Sequence, residues 1–190
     1  MKSDIWLVRH GETQWSASGR HTSRTDVSLT EAGRAAAAAL APELAAHDFA
    51  LVLVSPASRA LDTARLAGFG AAEVDADLVE RGYGEFEGRT TAEIRALGPE
   101  WRDWTVWTGA VPGGETLAEA GARAARVLER AEAAGGDVLL FGHGHELRIL
   151  AAVAVDLDPG AAARLVLDPA TVSILGSEHE VRAIRAWNRA

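Results

Sequence analysis

No cysteine occurs in this chain of 190 residues, and that absence removes disulfides, thiol nucleophiles and thiolate metal sites together. A cytoplasmic location is the expectation that fits. Long apolar runs are missing too. The first begins at Ile5 and is stopped by Arg9, which is too short for a secretory core. The most apolar helical stretch, Ala35 to Ala46, is alanine interrupted by Pro42 and Glu43, far from the roughly 20 apolar residues that cross a bilayer. Neither export nor a membrane partner is expected. Positive charge is in deficit, with 19 Lys and Arg against 27 Asp and Glu and a net charge of -8. Such a molecule repels nucleic acid and acidic lipid surfaces as a whole, so an anionic substrate must be drawn by a local group of arginines. The placement of arginine is therefore informative.

What remains is the composition of a globular protein: 48% apolar, 24% charged, mean hydropathy near zero. The length suits one domain over residues 1–190, with an insertion at about 75–115. Ile5 to Val8, Phe49 to Val54 and Asp137 to Phe141 read as buried strands. Between them, Ser28-Leu29-Thr30-Glu31 has capping-box spacing and opens a helix to about Ala46. Ser55-Pro56 reads as an N-cap followed by proline, opening a helix to about Ala67. Thr116 and Glu119 start another that runs to about Ala134. Short helices are expected over Thr91 to Leu97, Glu100 to Thr108 and Leu147 to Val155. Short strands are expected at Arg164 to Leu167, Thr171 to Leu175 and Val181 to Trp187, the last two joined around Gly176-Ser177. Alternation of strand and helix predicts an α/β fold, a three-layer α/β/α sandwich with a mostly parallel sheet.

Ligands of open α/β sheets gather at the carboxyl ends of strands. Three apolar runs here end in Arg9-His10-Gly11, in Ser55-Pro56 with Arg59 one turn later, and in Gly142-His143-Gly144. Two guanidinium groups bind phosphoryl oxygens in paired, charge-assisted hydrogen bonds. A neutral imidazole attacks phosphorus, and Gly11 lets backbone come close to the phosphate. His10 is the expected nucleophile, and a protonated His143 the donor to the charge that spreads in the transition state. The leaving oxygen needs a proton and the second half-reaction needs a base, which one carboxyl group can serve in turn. Spacing does not select it, because Asp77, Glu80, Glu85 and Glu87 share one segment.

Val8-Arg9-His10-Gly11-Glu12-Thr13 resembles the signature of the histidine phosphatase superfamily, also called phosphoglycerate mutase-like. The rest of that pattern follows in order: Leu29-Thr30-Glu31-Ala32-Gly33, Ser55-Pro56-Ala57-Ser58-Arg59-Ala60 with Thr63-Ala64, Glu80 before Gly84-Glu85-Phe86-Glu87-Gly88, Pro112-Gly113-Gly114-Glu115-Thr116, and Gly142-His143-Gly144. The resemblance implies His10 as the phosphorylated histidine, Arg9 and Arg59 as phosphate-binding residues, Glu80 as proton donor and His143 as the second histidine. Trp15 to Thr22 and the sequence Gly142-His143-Gly144-His145 are most similar to small acid phosphatases and sugar-bisphosphatase-like enzymes. Ser16 stands where many members carry asparagine and is assigned no role.

Gly144 joins the expected phosphate site. His21 and Thr22 read either as substrate-pocket residues or as an exposed turn. His145, at a helix start that favours an anion, reads as a substrate contact, and Arg148 as packing or an ion pair. Glu12 and Thr13 are expected to shape the loop. His47 and His179 read as surface residues, and Trp101, Trp104 and Trp107 as a packing face. No His and carboxylate set has metal-ligand spacing and arginines flank the central histidines, so neither metal nor other cofactor is expected. The expected partner is a small phosphorylated metabolite, and a homo-oligomer is allowed. The cofactor-dependent mutases that the chain resembles are longer between the acid and the second histidine. Only Arg89 to Gly114 fills that place here, and a more open site favours water as acceptor, hence a phosphatase over a mutase; a non-catalytic phosphate-binding module is the third reading, and the presence of all the chemical residues argues against it.

Overall fold

The computed structural model describes residues 3–190. In chain order it contains β1 (Ile5–Arg9), α1 (Gln14–Ala17), α2 (Glu31–Ala39), α3 (Ala41–Leu44), β2 (Leu51–Val54), α4 (Ser58–Leu66), β3 (Glu73–Val74), α5 (Thr91–Arg95), α6 (Leu117–Ala133), β4 (Val138–Gly142), α7 (Gly144–Ala154), β5 (Val172–Glu178) and β6 (Val181–Arg189). The strands form one sheet in the order β3-β2-β4-β1-β5-β6. The first four in that order are parallel, while β5 and β6 are antiparallel to their neighbours.

Period-two alternation divides the central strands between two cores. Ile5, Leu7, Leu53, Val138 and Leu140 face α6 and α7, packing on Ala120, Ala124, Val127, Leu147 and Leu150. Trp6, Val8, Val54, Leu139 and Phe141 face the other way, onto Leu40, Leu44, Ala60 and Ala64. Helices therefore cover both faces, as the alternation of elements predicts. Between β3 and α6 the chain builds a small core of its own, in which Tyr83, Phe86, Ile94, Trp104 and Val106 are buried. Trp104 thus belongs to a packing face, flanked by Trp101 and Trp107. Among the described residues no helix is long and apolar enough to cross a membrane.

Several local expectations are corrected. The first long helix is capped by Thr30, whose side chain accepts from Gly33 N, and Ser28 plays no part in the cap. It ends at Ala39 because Pro42 lacks an N–H, and α3 restarts with that proline in its first turn. Ala57, not Ser55, occupies the cap of α4. Pro99–Trp101 is a single 3-10 turn, where a helix to Thr108 was expected. Residues 165–167 form no strand: the carbonyls of Val166 and Leu167 accept from the side chains of Trp187 and Arg9. The β5–β6 turn falls at His179 and Glu180, both with positive φ, while Gly176 lies inside β5. Strand β3 is two exposed residues at the sheet edge, without any apolar run to announce it.

Candidate active site

Strand register brings the histidines together. Arg9 pairs with Gly142 across β1 and β4, and His10 N donates to the Gly142 carbonyl at 2.9 Å. The next residue of each strand is a histidine, so the His10 and His143 rings stand 5.2 Å apart at 61°. On the other side of β4, Val54 pairs with Phe141, which sets Ser55 at the same height. Its Oγ lies 2.7 Å from His143 Nε2.

His10 Nδ1 is 2.7 Å from the Gly11 carbonyl. A carbonyl only accepts, so Nδ1 carries the hydrogen and Nε2 keeps its lone pair. Burial, then the charges of His143, Arg9 and Arg59, hold this imidazole well below its usual value, so it is neutral at neutral pH. Gly11 serves another purpose than the one expected. A Cβ there would stand 2.4 Å from the Gly33 carbonyl, so the glycine lets the histidine loop pack against the start of α2.

His143 is wholly buried, and burial followed by Arg59 lowers its pKa to about 3. The expectation of a protonated His143 is thus corrected for the site by itself; a dianion against the ring favours the charged form. Arg59, in the first turn of α4, is 1% exposed and donates to the carbonyls of Thr25 at 3.2 Å and Ser23 at 3.1 Å. Arg9 donates to the Leu167 carbonyl, and its guanidinium lies against Gly144, where a Cβ would stand 3.3 Å away. Nε of Arg9, Nε of Arg59 and Nδ1 of His143 are buried without a hydrogen-bond partner. Burying polar groups unpaired is costly, and one anion with several oxygens satisfies groups of this kind.

Glu80 is 7% exposed and reaches the same region from the loop after β3. Its Oε1 accepts from the N–H of Arg81 at 2.8 Å and of Glu146 at 2.9 Å, and Oε2 from the N–H of His145 at 3.0 Å. The carboxylate thus caps α7, and the helix N-terminus expected to attract an anion is taken by Glu80 itself. Burial pushes this carboxyl up, but the hydrogen bonds it accepts, those of His145 foremost, outweigh it and leave it well below the usual range. The rival carboxylates are engaged differently: Asp77 pairs with Arg126, Glu87 lines the same groove as Glu80 but is spent on the N–H groups of Ser23 and Thr25, and Glu85 is exposed. A groove of about 1020 Å³ runs past Glu80, between Ser23, Pro56 and Arg123.

His21 is buried against Tyr83 and Trp104 rather than in an exposed turn, and burial, then His145, lowers it to about 4. Thr22 spends its hydroxyl on the Arg20 carbonyl. His145 is 2.6 Å from the Tyr83 hydroxyl and stacks near Trp107, with Arg148 over the same indole. Glu12 accepts from Thr30, and Thr13 caps α1 together with Ser16, both shaping the loop. His179 is exposed, and the exposed His47 rests on Trp6. Sequence reasoning missed Ser55 as the partner of His143, and also Tyr83, Arg123 and Glu146. Only Ser55 had a signal, its place at a strand end. Among the described residues no group of three or more His, Asp or Glu could hold a metal ion.

Comparison with known proteins matches residues 5–190 to the model of the histidine phosphatase superfamily (branch 1). A Mycobacterium tuberculosis protein named acid phosphatase is 42% identical over 185 residues, covering 95% of this chain and 89% of the relative. A 2,3-bisphosphoglycerate-dependent phosphoglycerate mutase 2 of Gloeobacter violaceus is 37% identical over 166 residues, 80% of this chain and 74% of that protein. The solved structure of a Mycobacterium tuberculosis open reading frame superposes with a TM-score of 0.92 at 37% identity, covering 100% of this chain and 99% of that one. With those motifs at three strand ends and this fold around them, the chain belongs to the histidine phosphatase superfamily, branch 1.

Proposed function

We propose that the protein is a phosphatase that hydrolyses small phosphate monoesters through a phosphohistidine on His10. The observation that carries this reading is the set of buried, unpartnered polar groups, the donors Arg9 Nε and Arg59 Nε and the ring nitrogen His143 Nδ1, in the same site as a neutral histidine. A phosphoryl group satisfies them, and its charge draws His143 toward its protonated form. His10 Nε2 attacks phosphorus while the ester P–O bond breaks. The Nδ1–H bond to the Gly11 carbonyl supports the positive charge that develops on the ring. Glu80 gives its proton to the leaving oxygen; water then attacks the phosphohistidine, returns a proton to Glu80, and the N–P bond breaks. The dianion also solves the problem of a depressed Glu80, since like charge raises a carboxyl pKa and lets it take up the proton it must donate.

Membership of the family and the acid phosphatase name of one relative support a phosphatase. A mutase-named relative keeps the second reading in view. The short segment 89–114 favours water over a returning sugar acid as acceptor, and His21, Thr22 and His145 are assigned to the rest of the substrate. Incubation with p-nitrophenyl phosphate in the presence of chelator is expected to release phosphate. His10→Ala is expected to abolish turnover together with an acid-labile phosphoprotein. Failure to release phosphate, with isomerisation of 3-phosphoglycerate instead, would make it a mutase, and activity surviving in His10→Ala overturns the nucleophile.

A further inference from the structure

Beside Glu80 lies a charge cluster that the reaction above does not use, with Glu146 buried and Arg123 and Glu115 half-buried at the wall of the groove. Glu146, in the first turn of α7, has a carboxyl that is 0% exposed. Burial pushes its pKa up, and the charge of Arg123 opposes that shift. Arg123 Nη2, reaching over from α6, stands 3.0 Å from Glu146 Oε2, although neither carboxyl oxygen has an aligned hydrogen bond. The same guanidinium grips Glu115 with two prongs, Nε to Oε1 at 2.7 Å and Nη2 to Oε2 at 2.8 Å. Its Nη1 donates to the carbonyls of Asp77 at 2.5 Å and Val79 at 3.0 Å. Glu115 extends the grip: its Oε2 accepts from Gly82 N at 3.2 Å and its carbonyl from Arg81 Nε at 2.9 Å. Val79, Arg81 and Gly82 are therefore all fastened to Arg123 or to the residue it clamps. The N–H of Glu146, at the far end of the cluster, holds Glu80 Oε1.

We propose that Arg123 is a positioning residue for Glu80, acting through the Val79 carbonyl, Glu115 and Glu146 to hold the carboxyl where a leaving oxygen meets it. The inference rests on Glu80 being the proton donor. A planar fork with five donors holds the Glu115 carboxylate and two carbonyls at once while standing against Glu146, which an ammonium on a flexible stem does not. General acids tolerate little displacement, since a shift of about 1 Å costs on the order of 100-fold. The defect is specific, because an ester whose leaving group departs as a stable anion needs no proton and one that departs as an alkoxide does.

The test is steady-state kcat and KM on a series of aryl and alkyl phosphates, for the full chain and its variants Arg123→Lys, Arg123→Gln and Glu80→Gln, each checked by circular dichroism and thermal melting. Because Glu80 also serves the hydrolysis step shared by all esters, the readout is kcat/KM, which reports the half-reaction that expels the leaving group. Glu80→Gln is expected to lose kcat/KM in proportion to the basicity of the leaving group. Arg123→Lys and Arg123→Gln are expected to follow the same trend more weakly, with kcat/KM for alkyl esters falling roughly 10-fold and that for p-nitrophenyl phosphate nearly spared. An equal loss of kcat/KM on every ester overturns the proposal while the trend in Glu80→Gln stands. If Glu80→Gln itself shows no dependence on the leaving group, the assignment of Glu80 falls and takes the proposal with it. Should both Arg123 variants fail to fold, Glu115→Gln breaks the clamp from its other end; the same trend is expected there, and its absence overturns the proposal.

Discussion

A single hydroxyl decides how the second histidine is presented. Ser55 Oγ, wholly buried, is the hydrogen-bond partner of His143 Nε2, and Nδ1 of the same ring has no partner in the protein. Removing that hydroxyl leaves a buried ring nitrogen unpaired, a cost of about 1–3 kcal/mol, and frees the ring to turn. Ser55→Ala is therefore expected to lower kcat roughly 10-fold, the equivalent of about 1.4 kcal/mol, with little change in secondary structure. Turnover equal to that of the unaltered protein would show that His143 is oriented by packing alone. The logic differs for His10, whose tautomer is set by a main-chain carbonyl next to it in sequence, so no side-chain substitution can release it.

At the level of elements, α7 has no side-chain cap from its own N-cap residue, His143, and receives Glu80 in its place. One carboxylate thus has a structural duty beside the chemical one proposed for it, and the two can be separated. Glu80→Ala orphans the N–H groups of His145 and Glu146 and is expected to cost about 0.5–2 kcal/mol of stability. Glu80→Gln keeps a carbonyl acceptor and should lose less, while both variants lose turnover of alkyl esters. Denaturant unfolding of the two variants checks this, and equal losses of stability would count against the cap. The loop that carries His10 is held by a contact between backbones: Gly11 and the start of α2 approach so closely that Gly11→Ala drives a Cβ into the Gly33 carbonyl. Such overpacking costs about 1–3 kcal/mol. Because β1 is pinned in the sheet, the loop must absorb the shift, so activity is expected to fall further than stability.

Across the whole molecule, charge is organised so that acid is destabilising. His10, His21, His143 and His145 all lie below the ordinary value of 6.5 in the folded state, each chiefly because of burial. On acidification the unfolded chain takes up protons there before the folded one does, so stability present above pH 6.5 is lost as pH falls. Glu80, also depressed, adds a loss of the same sign below its usual value. Glu146 is raised, so its contribution runs the other way and declines as pH rises past the ordinary carboxyl range. With His21 at about 4 and His143 at about 3, each withholds a proton at about pH 5, which costs on the order of 2 kcal/mol per residue. The melting temperature is expected to drop between about pH 7 and about pH 5, and inorganic phosphate to restore more of it at the lower pH, where a charged His143 strengthens binding. An unchanged melting temperature across that range would rule out the buried neutral histidines.

The layered α/β architecture, the strand ends and the residues His10, Arg9, Arg59 and His143 were legible in the chain, because apolar runs of strand length stop at charged residues and glycine in a pattern that local chemistry explains. Glu80 was not separable from Asp77, Glu85 and Glu87 by spacing, since loop residues carry no periodicity that says where they point. Only the fold, which spends Asp77 on Arg126 and Glu87 on the loop at Ser23 while aiming Glu80 at α7, distinguishes them. The same holds for Ser55, Arg123 and Glu146, whose partners lie 88, 44 and 66 residues away along the chain. Local sequence determines which strands and helices form and what chemistry stands at their ends. Burial and long-range hydrogen bonds, which exist only once the sheet is assembled, decide which of those groups are neutral, which are paired and which stay without a partner.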